Sequence, residues 1–211
     1  EPKMGLLNYV ISSWDPEGRD VVFVPVALNY DRVLEDYILI AAGKRGDRRF
    51  GANISVVSKF MMNQLWLRLT GRYTKFGYAA ASFGRPLSLT TFNKRRGKLT
   101  TENVAKELIT RIGQVVPVLP VPLLASVLVE QGSMPEDQLK AAIVAKMDRF
   151  EEGHVHVPRE DAEYAAEIGI ANLRRRALIE DGPDGVQISE KGRDVVPYYA
   201  STLEHLKTRD A

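Results

Sequence analysis

Val24-Pro-Val-Ala-Leu-Asn-Tyr30 is the stretch that decides the fold class, because it joins an apolar run to a helix-like pattern. Residues 21–28 are almost continuously apolar, which is typical of a central parallel strand covered on both faces. The pattern of residues 31–42 follows at once and predicts a helix capped by Asp31. We therefore expect an α/β fold with an open sheet and flanking helices. The strand-to-helix junctions of such sheets are where ligands usually bind.

The composition is that of an ordinary soluble globular protein, with 45% apolar and 27% charged residues in a chain of 211. The net charge of +2 is too small to indicate nucleic-acid binding by itself. The absence of cysteine excludes disulfides and zinc–thiolate sites. The most apolar stretch, residues 115–129, contains three prolines and is shorter than the roughly 20 residues that span a membrane. We expect a buried turn and helix there, and no transmembrane segment.

The character of the sequence changes near residue 100. Before it, helical and strand-like patterns alternate, and a second strand is predicted over residues 75–83. After it, the pattern is mostly helical, with helices predicted over 101–114, 123–131, 133–152, 158–176 and 190–206. The exception is a β-hairpin over residues 177–189, which turns at Asp181-Gly-Pro-Asp-Gly185. We expect two domains, covering residues 1–100 and 101–211.

Several segments, taken in order, resemble glycerol-3-phosphate acyltransferases of the bacterial membrane-associated and mitochondrial types. They are Lys3-Met-Gly-Leu-Leu7, Val24–Tyr30, Phe83-Gly-Arg-Pro-Leu-Ser-Leu89, and the segments 111–124 and 196–206. The resemblance implies that residues 1–100 form the C-terminal part of the α/β acyltransferase core. Residues 101–211 would form a helical C-terminal domain with the hairpin near 177–189. The protein would act in phospholipid biosynthesis, peripherally at the cytoplasmic face of the membrane.

The family has four sequence blocks, of which this chain carries only the fourth, Val24–Tyr30. The first, His-x-x-x-x-Asp, supplies the general base, and the second and third, the latter with Pro-Glu-Gly and arginines, hold glycerol phosphate. The implied reaction moves a fatty acyl group from acyl-CoA or acyl carrier protein to the sn-1 hydroxyl of glycerol 3-phosphate. Acyl transfer needs a base, oxyanion donors and cations for the phosphate. We therefore expect this chain, as the C-terminal portion of a longer enzyme, to be inactive alone.

The resemblance implies substrate-binding roles for Lys3, Pro25 and Tyr30. Tyr30 would line the acyl-donor site, and the alternative is a ring that packs at the end of a buried strand. Pro25 fixes the backbone and removes a donor from the strand ladder. Two basic loops are candidate contacts for the phosphates of coenzyme A or for anionic lipid, unless they are simply solvated. They contain Lys44, Arg45, Arg48 and Arg49, and Lys94, Arg95, Arg96 and Lys98.

Two histidines, His156 and His205, fit His-x-x-x-x-Asp by spacing. In the family this motif precedes the Val24–Tyr30 block, so we interpret both matches as chance. His154 and His156 lack a third ligand, and we expect neither a metal site nor a cofactor.

The chain departs from the family in two places. Arg85 stands where the family has glutamate, and residues 51–71 match poorly, which indicates a divergent member. Residues 54–69 nevertheless predict an amphipathic helix. Its apolar face would either pack in the protein or lie in a membrane interface.

A different class of function is suggested by residues 133–206, whose order of helices and hairpin resembles a winged-helix module. Such modules bind DNA or proteins. Leu173-Arg-Arg-Arg176 would end the recognition helix. The hairpin tip carries Glu180, Asp181 and Asp184, which repel phosphate, so we expect no nucleic-acid partner. An interaction module without catalytic activity is the alternative to the acyltransferase.

Overall fold

The computed structural model describes residues 4–33, 35–45, 58, 62, 65–66, 69–70, 77–96, 99–150 and 161–209. The helices are α1 (Gly5–Ser12), α2 (Asp36–Arg45), α3 (Leu89–Arg96), α4 (Thr101–Gly113), α5 (Pro120–Gln131), α6 (Glu136–Met147), α7 (Ala162–Arg175) and α8 (Val195–Ser201). The strands are β1 (Val22–Phe23), β2 (Val26–Tyr30), β3 (Ala79–Phe83), β4 (Leu87–Ser88), β5 (Ile179–Gly182) and β6 (Gly185–Ile188). Two 3-10 turns, Glu190–Gly192 and Glu204–Arg209, flank α8. The fold is thus mixed α/β and mostly helical.

The strands in the described ranges form three two-stranded antiparallel sheets, β1–β4, β2–β3 and β5–β6. The prediction of one buried parallel strand over residues 21–28 is therefore wrong. Pro25 separates β1 from β2, and β2 alternates, with Ala27 and Asn29 buried and their neighbours exposed. A continuous apolar run does not reveal whether both of its faces are covered. Here one face of β2 stays open, and the described residues show no open central sheet.

The C-terminal part is built around α5, in which every residue from 120 to 128 is buried. Helices α6, α7 and α8 pack around it. The apolar run of residues 115–129 is therefore a core helix with its preceding turn, as predicted. No helix in the described part of the chain is long and apolar enough to cross a membrane.

The predicted hairpin is present as β5 and β6, and a third segment joins it. The backbones of Met134 and Val186 exchange hydrogen bonds of 3.3 and 2.8 Å. Gly185 makes this approach possible, because its φ is +108° and a Cβ there would lie 2.3 Å from the Met134 carbonyl oxygen. Met134, which lies between α5 and α6, is thus held beside the hairpin by an isolated bridge.

Helix boundaries differ from the predictions where local capping differs. Helix α4 is capped by Thr100, whose hydroxyl accepts the Asn103 N–H at 3.2 Å. The Ser133 side chain does not cap α6, which begins after Pro135. The single helix predicted over residues 190–206 is instead two 3-10 turns around the short α8. A second, smaller core joins α4 to the N-terminal part through Leu87, Leu89, Phe92 and Val104.

Candidate functional site

The sequence predicts that Asp31 caps the helix that follows it. The structure shows that Asp31 instead binds the first turn of the distant helix α5. Its buried carboxylate, only 2% exposed, accepts the N–H of Val121 in the first turn of α5 at 2.9 Å. It also accepts the N–H of Tyr78 at 3.0 Å. Burial raises the pKa of Asp31 to about 6, although both N–H bonds favour the charged form. Asp31 thereby ties β2 to the C-terminal core.

A second buried carboxylate, Asp36, is the centre of a network at the start of α2. It is 1% exposed and accepts the Tyr199 hydroxyl at 2.7 Å. The Arg176 guanidinium forms an ion pair with it. The Tyr199 oxygen also accepts the Val33 N–H at 2.9 Å and an Arg176 N–H at 3.1 Å. Burial raises the pKa of Tyr199 to about 12, so the hydroxyl stays protonated and can keep donating at neutral pH.

A third anchor is Asn29, on the buried face of β2. Its side-chain amide donates to the Pro117 carbonyl at 2.8 Å, just before α5. Its side-chain oxygen accepts the Tyr30 N–H at 2.9 Å. The inner face of the β2–β3 ribbon is thus fixed to the C-terminal core by polar contacts.

The outer face of this ribbon is apolar and open to solvent. In the β2–β3 register, Val26, Leu28 and Tyr30 lie opposite Phe83, Ala81 and Ala79. The exposed fractions are 41% for Val26, 60% for Leu28, 42% for Tyr30 and 72% for Phe83. We call these six residues the ribbon face. The alternative in which the Tyr30 ring packs at the end of a buried strand is not what the structure shows.

A cleft of about 880 Å³ opens beside the ribbon face, between the loop that follows β3 and helices α3 and α4. Phe83 belongs both to the ribbon face and to the cleft wall. Among the described residues, three arginines line the cleft, Arg85, Arg95 and Arg111, together with one acidic residue, Glu107. The cleft is therefore cationic and has an aromatic edge.

The predicted substrate-binding residues are dispersed. Lys3, Arg48 and Arg49 lie outside the described residues. Pro25 is buried between β1 and β2, and its carbonyl accepts the Gly84 N–H at 2.8 Å. Pro25 thus supports the loop that forms one wall of the cleft, whereas Tyr30 lies on the ribbon face.

The two predicted basic loops have different surroundings. Lys44 is exposed and pairs with Asp194 at 2.6 Å, and Arg45 is the last residue of α2. In the second loop, Lys94, Arg95 and Arg96 belong to α3, while Lys98 lies outside the described residues. Of the two side chains that the structure describes in this loop, Lys94 and Arg95, Arg95 lines the cleft.

The described residues do not assemble an obvious acid–base centre. His154 and His156 lie outside the described ranges. His205 lies against the Gly113 backbone, and partial burial lowers its pKa. The cleft lining, as far as the chain is described, contains no histidine. The part of the chain that the structure describes contains no group of three His, Cys, Asp or Glu side chains able to hold a metal ion.

Most of the segment 51–71 lies outside the described residues, but a few of its positions are placed. Ser58, Met62, Leu65, Trp66 and Leu69 have helical backbone, in agreement with the predicted helix. The exposed fractions of Met62, Leu65, Trp66 and Leu69 are between 53% and 78%. This apolar side is therefore uncovered in the described structure.

Two features of the site were missed at the sequence level. Arg111 opens the family-like segment 111–124, but nothing in the sequence assigns it a role in a site, and the structure places it in the cleft wall. The contacts of Asp36 with Arg176 and Tyr199 join residues 140 and 163 positions apart, which a single sequence does not reveal. No protein-family model matches this chain, and the search of curated proteins returned no match either.

Proposed function

We propose that this chain is the C-terminal portion of a glycerol-3-phosphate 1-O-acyltransferase-like enzyme of phospholipid biosynthesis. The acyl donor would be acyl-CoA or acyl carrier protein, and the acceptor glycerol 3-phosphate. The observation that carries the proposal is the ribbon face, in which Tyr30 of the family-like block is exposed among Val26, Leu28 and Phe83. Phe83 opens another family-like segment, Phe83-Gly-Arg-Pro-Leu-Ser-Leu89.

The exposure of the ribbon face supports a role as part of a larger sheet or cleft. Exposed contiguous apolar surface marks interfaces and ligand grooves. An isolated two-stranded ribbon is at best marginally stable in water, and its outer edges present unpaired backbone groups. We propose that β2 and β3 belong to the open sheet of an acyltransferase core whose remaining strands and helices lie in further sequence.

In this proposal the acyl chain lies along Leu28 and Tyr30, and Pro25 shapes the adjoining loop. Lys3 is a further proposed substrate-binding residue, and Lys44, Arg45, Arg48 and Arg49 are the proposed contacts of the coenzyme A phosphates. The Lys44–Asp194 pair does not oppose this role, because both side chains are more than half exposed and such pairs contribute little.

Peripheral attachment at the cytoplasmic face of the membrane is part of the proposal. It is supported by the exposed apolar side chains Met62, Leu65, Trp66 and Leu69 on helical backbone. Such a surface can lie at the boundary between lipid headgroups and acyl chains.

The chemistry requires a base that takes the proton of the sn-1 hydroxyl while its oxygen attacks the thioester carbonyl carbon. It also requires donors that stabilise the oxyanion on the thioester carbonyl oxygen. The tetrahedral intermediate then collapses, the thiolate leaves, and the proton passes to it. We assign the base to the His-x-x-x-x-Asp block of the family, which this chain does not carry before Val24. The 211-residue chain should therefore show no acyl transfer from palmitoyl-CoA to labelled glycerol 3-phosphate.

A chimera tests the proposal directly. This chain would replace the corresponding C-terminal portion of an active bacterial glycerol-3-phosphate acyltransferase. We expect sn-1 acylation by the chimera, and a loss of at least tenfold with Leu28→Asp, because a carboxylate would then lie in the acyl path. Leu6→Asp, at an exposed apolar position on α1, is the control. A folded chimera without activity would contradict the proposal.

The second candidate is a binding module of the winged-helix type, favoured by the Met134–Val186 bridge beside the hairpin. The arginines that would end its recognition helix, Arg174 and Arg176, are engaged within the protein. Arg174 pairs with Glu136 at 2.8 Å and with Asp181 at 2.6 Å. Arg176 pairs with Asp36. Glu163 and Glu167 are exposed on α7, where a recognition helix would face phosphate. A protein partner or an intramolecular packing role suits this module better than nucleic acid. A salt-sensitive gel shift with duplex DNA would reverse that preference.

A further inference from the structure

The three arginines of the cleft are not equivalent, because Arg111 is already satisfied within the protein. Its Nε donates to the Glu107 carboxylate at 2.9 Å. Its Nη1 donates to the backbone carbonyls of Arg85 and Pro86 at 3.1 and 2.7 Å. Arg111 therefore positions the loop that carries Arg85 and neutralises Glu107, the one acidic residue that the described part of the chain contributes to the cleft wall.

Arg85 and Arg95 supply the remaining charge. Both side chains are exposed and line the cleft. Neither forms an ion pair with an acidic residue in the described part of the chain. Because Glu107 is engaged by Arg111, the cleft presents two guanidinium groups without a matching carboxylate. Guanidinium groups bind phosphate through paired, charge-assisted hydrogen bonds.

The N-terminus of α3 also faces this region, but its hydrogen bonds are already used. The Asp20 carboxylate accepts the Thr90 N–H at 3.0 Å and the Ser88 hydroxyl at 2.6 Å. The Ser88 oxygen in turn accepts the Thr91 N–H at 3.0 Å. An anion in the cleft must therefore be held by side chains, chiefly Arg85 and Arg95, rather than by the end of the helix.

The cationic cleft continues into an apolar surface. Phe83, 72% exposed, lines the cleft and lies opposite Val26 in the ribbon. Leu28, the next outward-facing residue of β2, is 60% exposed. A ligand with a phosphate head and one apolar chain would satisfy both surfaces at once, the head in the cleft and the chain across Phe83.

We propose that this cleft is a binding site for a phosphate monoester that carries a single aliphatic chain. The phosphate binds Arg85 and Arg95, and the chain lies over Phe83 and along Val26 and Leu28. The proposal does not depend on the acyltransferase assignment, since it is derived from the charges of the cleft and their continuity with the ribbon face. It therefore holds or fails in the 211-residue chain itself, which needs no catalytic activity for the test.

The test is calorimetric titration of the full chain with monododecyl phosphate below its critical micelle concentration. We expect dodecyl phosphate to bind at least about a hundredfold more tightly than inorganic phosphate, because the methylenes of its chain lose contact with water on the ribbon face. Removing one guanidinium by Arg85→Gln or Arg95→Gln should weaken binding about tenfold, the usual effect of losing a charge-assisted hydrogen bond. Phe83→Ser should weaken the binding of dodecyl phosphate and leave that of inorganic phosphate unchanged.

Controls separate this site from nonspecific effects. Arg175→Gln removes an exposed arginine at the end of α7, outside the cleft, and should leave affinity unchanged. All substituted side chains are exposed, so the melting temperatures should match that of the parent protein. Equal affinity for dodecyltrimethylammonium would overturn the proposal, as would insensitivity to both arginine substitutions. Binding to phosphatidylglycerol vesicles without binding to monomeric dodecyl phosphate would instead establish a membrane-facing surface and refute the cleft.

Discussion

Replacing Tyr199 with phenylalanine should destabilise the fold more than the loss of one ordinary hydrogen bond. The Tyr199 hydroxyl donates to the Asp36 carboxylate at 2.7 Å and accepts the Val33 N–H at 2.9 Å. Asp36 is 1% exposed, so water cannot readily replace the lost donor. The substitution keeps the ring and creates no large cavity, which isolates the polar contribution.

Three partners lose the hydroxyl, Asp36, the Val33 N–H and an Arg176 N–H, and the magnitude follows chiefly from the first two, because Arg176 keeps its ion pair with Asp36. A hydrogen bond to a charged group contributes about 1.5–3 kcal/mol, and an unsatisfied buried donor costs about 1–3 kcal/mol. Asp36 keeps its ion pair with Arg176 and the Tyr37 N–H at 2.9 Å, which limits the loss. We therefore expect the free energy of unfolding to fall by about 3 kcal/mol.

The assay is urea unfolding at pH 7, followed by circular dichroism. The matched control is Tyr198→Phe: the Tyr198 hydroxyl makes no hydrogen bond to any residue that the structure describes. The control should change the free energy of unfolding by less than about 0.5 kcal/mol. A Tyr199→Phe effect within about 1 kcal/mol of this control would refute the reasoning, because it would show that the network adds no net stability.

Two further predictions concern Asp31 and Gly185. Because burial raises the pKa of Asp31 to about 6 from 3.8, the folded state binds the proton more tightly. Stability from this group should therefore decrease as pH rises from about 4 to about 6, by up to about 3 kcal/mol. The Asp31→Asn variant should lack this component of the pH profile of urea unfolding, and an unchanged profile would contradict the assignment. Gly185→Ala should destabilise more than Gly132→Ala, since both φ angles are positive but only at Gly185 would a Cβ meet backbone, 2.3 Å from the Met134 oxygen. Equal thermal shifts for the two alanine variants would show that the close approach to Met134 is not maintained.

The helical C-terminal part could largely be predicted from sequence, because its signals are local. The apolar run of residues 115–129 and the Asp-Gly-Pro-Asp-Gly turn each specify one element without reference to distant partners. The pairing of β2 could not be predicted in the same way. Its apolar run is compatible with burial on both faces, and only the contact with β3, about 50 residues away, shows that one face is open.

In the candidate site, too, the features with local signals could be predicted and those that depend on long-range contacts could not. Tyr30 and the loop at Arg85 were found through linear motifs, and the structure places them on the ribbon face and in the adjoining cleft. The site roles of Arg111 and Asp36 were not predicted, although Arg111 opens the family-like segment 111–124, because they arise from contacts with segments 25 to 163 residues away. Asp31 shows how a correct local signal can mislead. An aspartate before a helical pattern is a common cap, but here the carboxylate accepts N–H groups from two distant segments instead.

Three polar side chains in β2 and just after it hold the ribbon in place against the C-terminal part. Asn29, Asp31 and Asp36 bind, respectively, the segment before α5, the first turn of α5 and Arg176 at the end of α7. All three are buried, so the inner face of the ribbon has little freedom to shift relative to the helical core. The outer face, which needs an apolar partner or ligand, is therefore presented in a fixed position. A rigid wall lowers the ordering cost of binding, which is what either an acyl chain or the remaining sheet of an acyltransferase core would require of this surface.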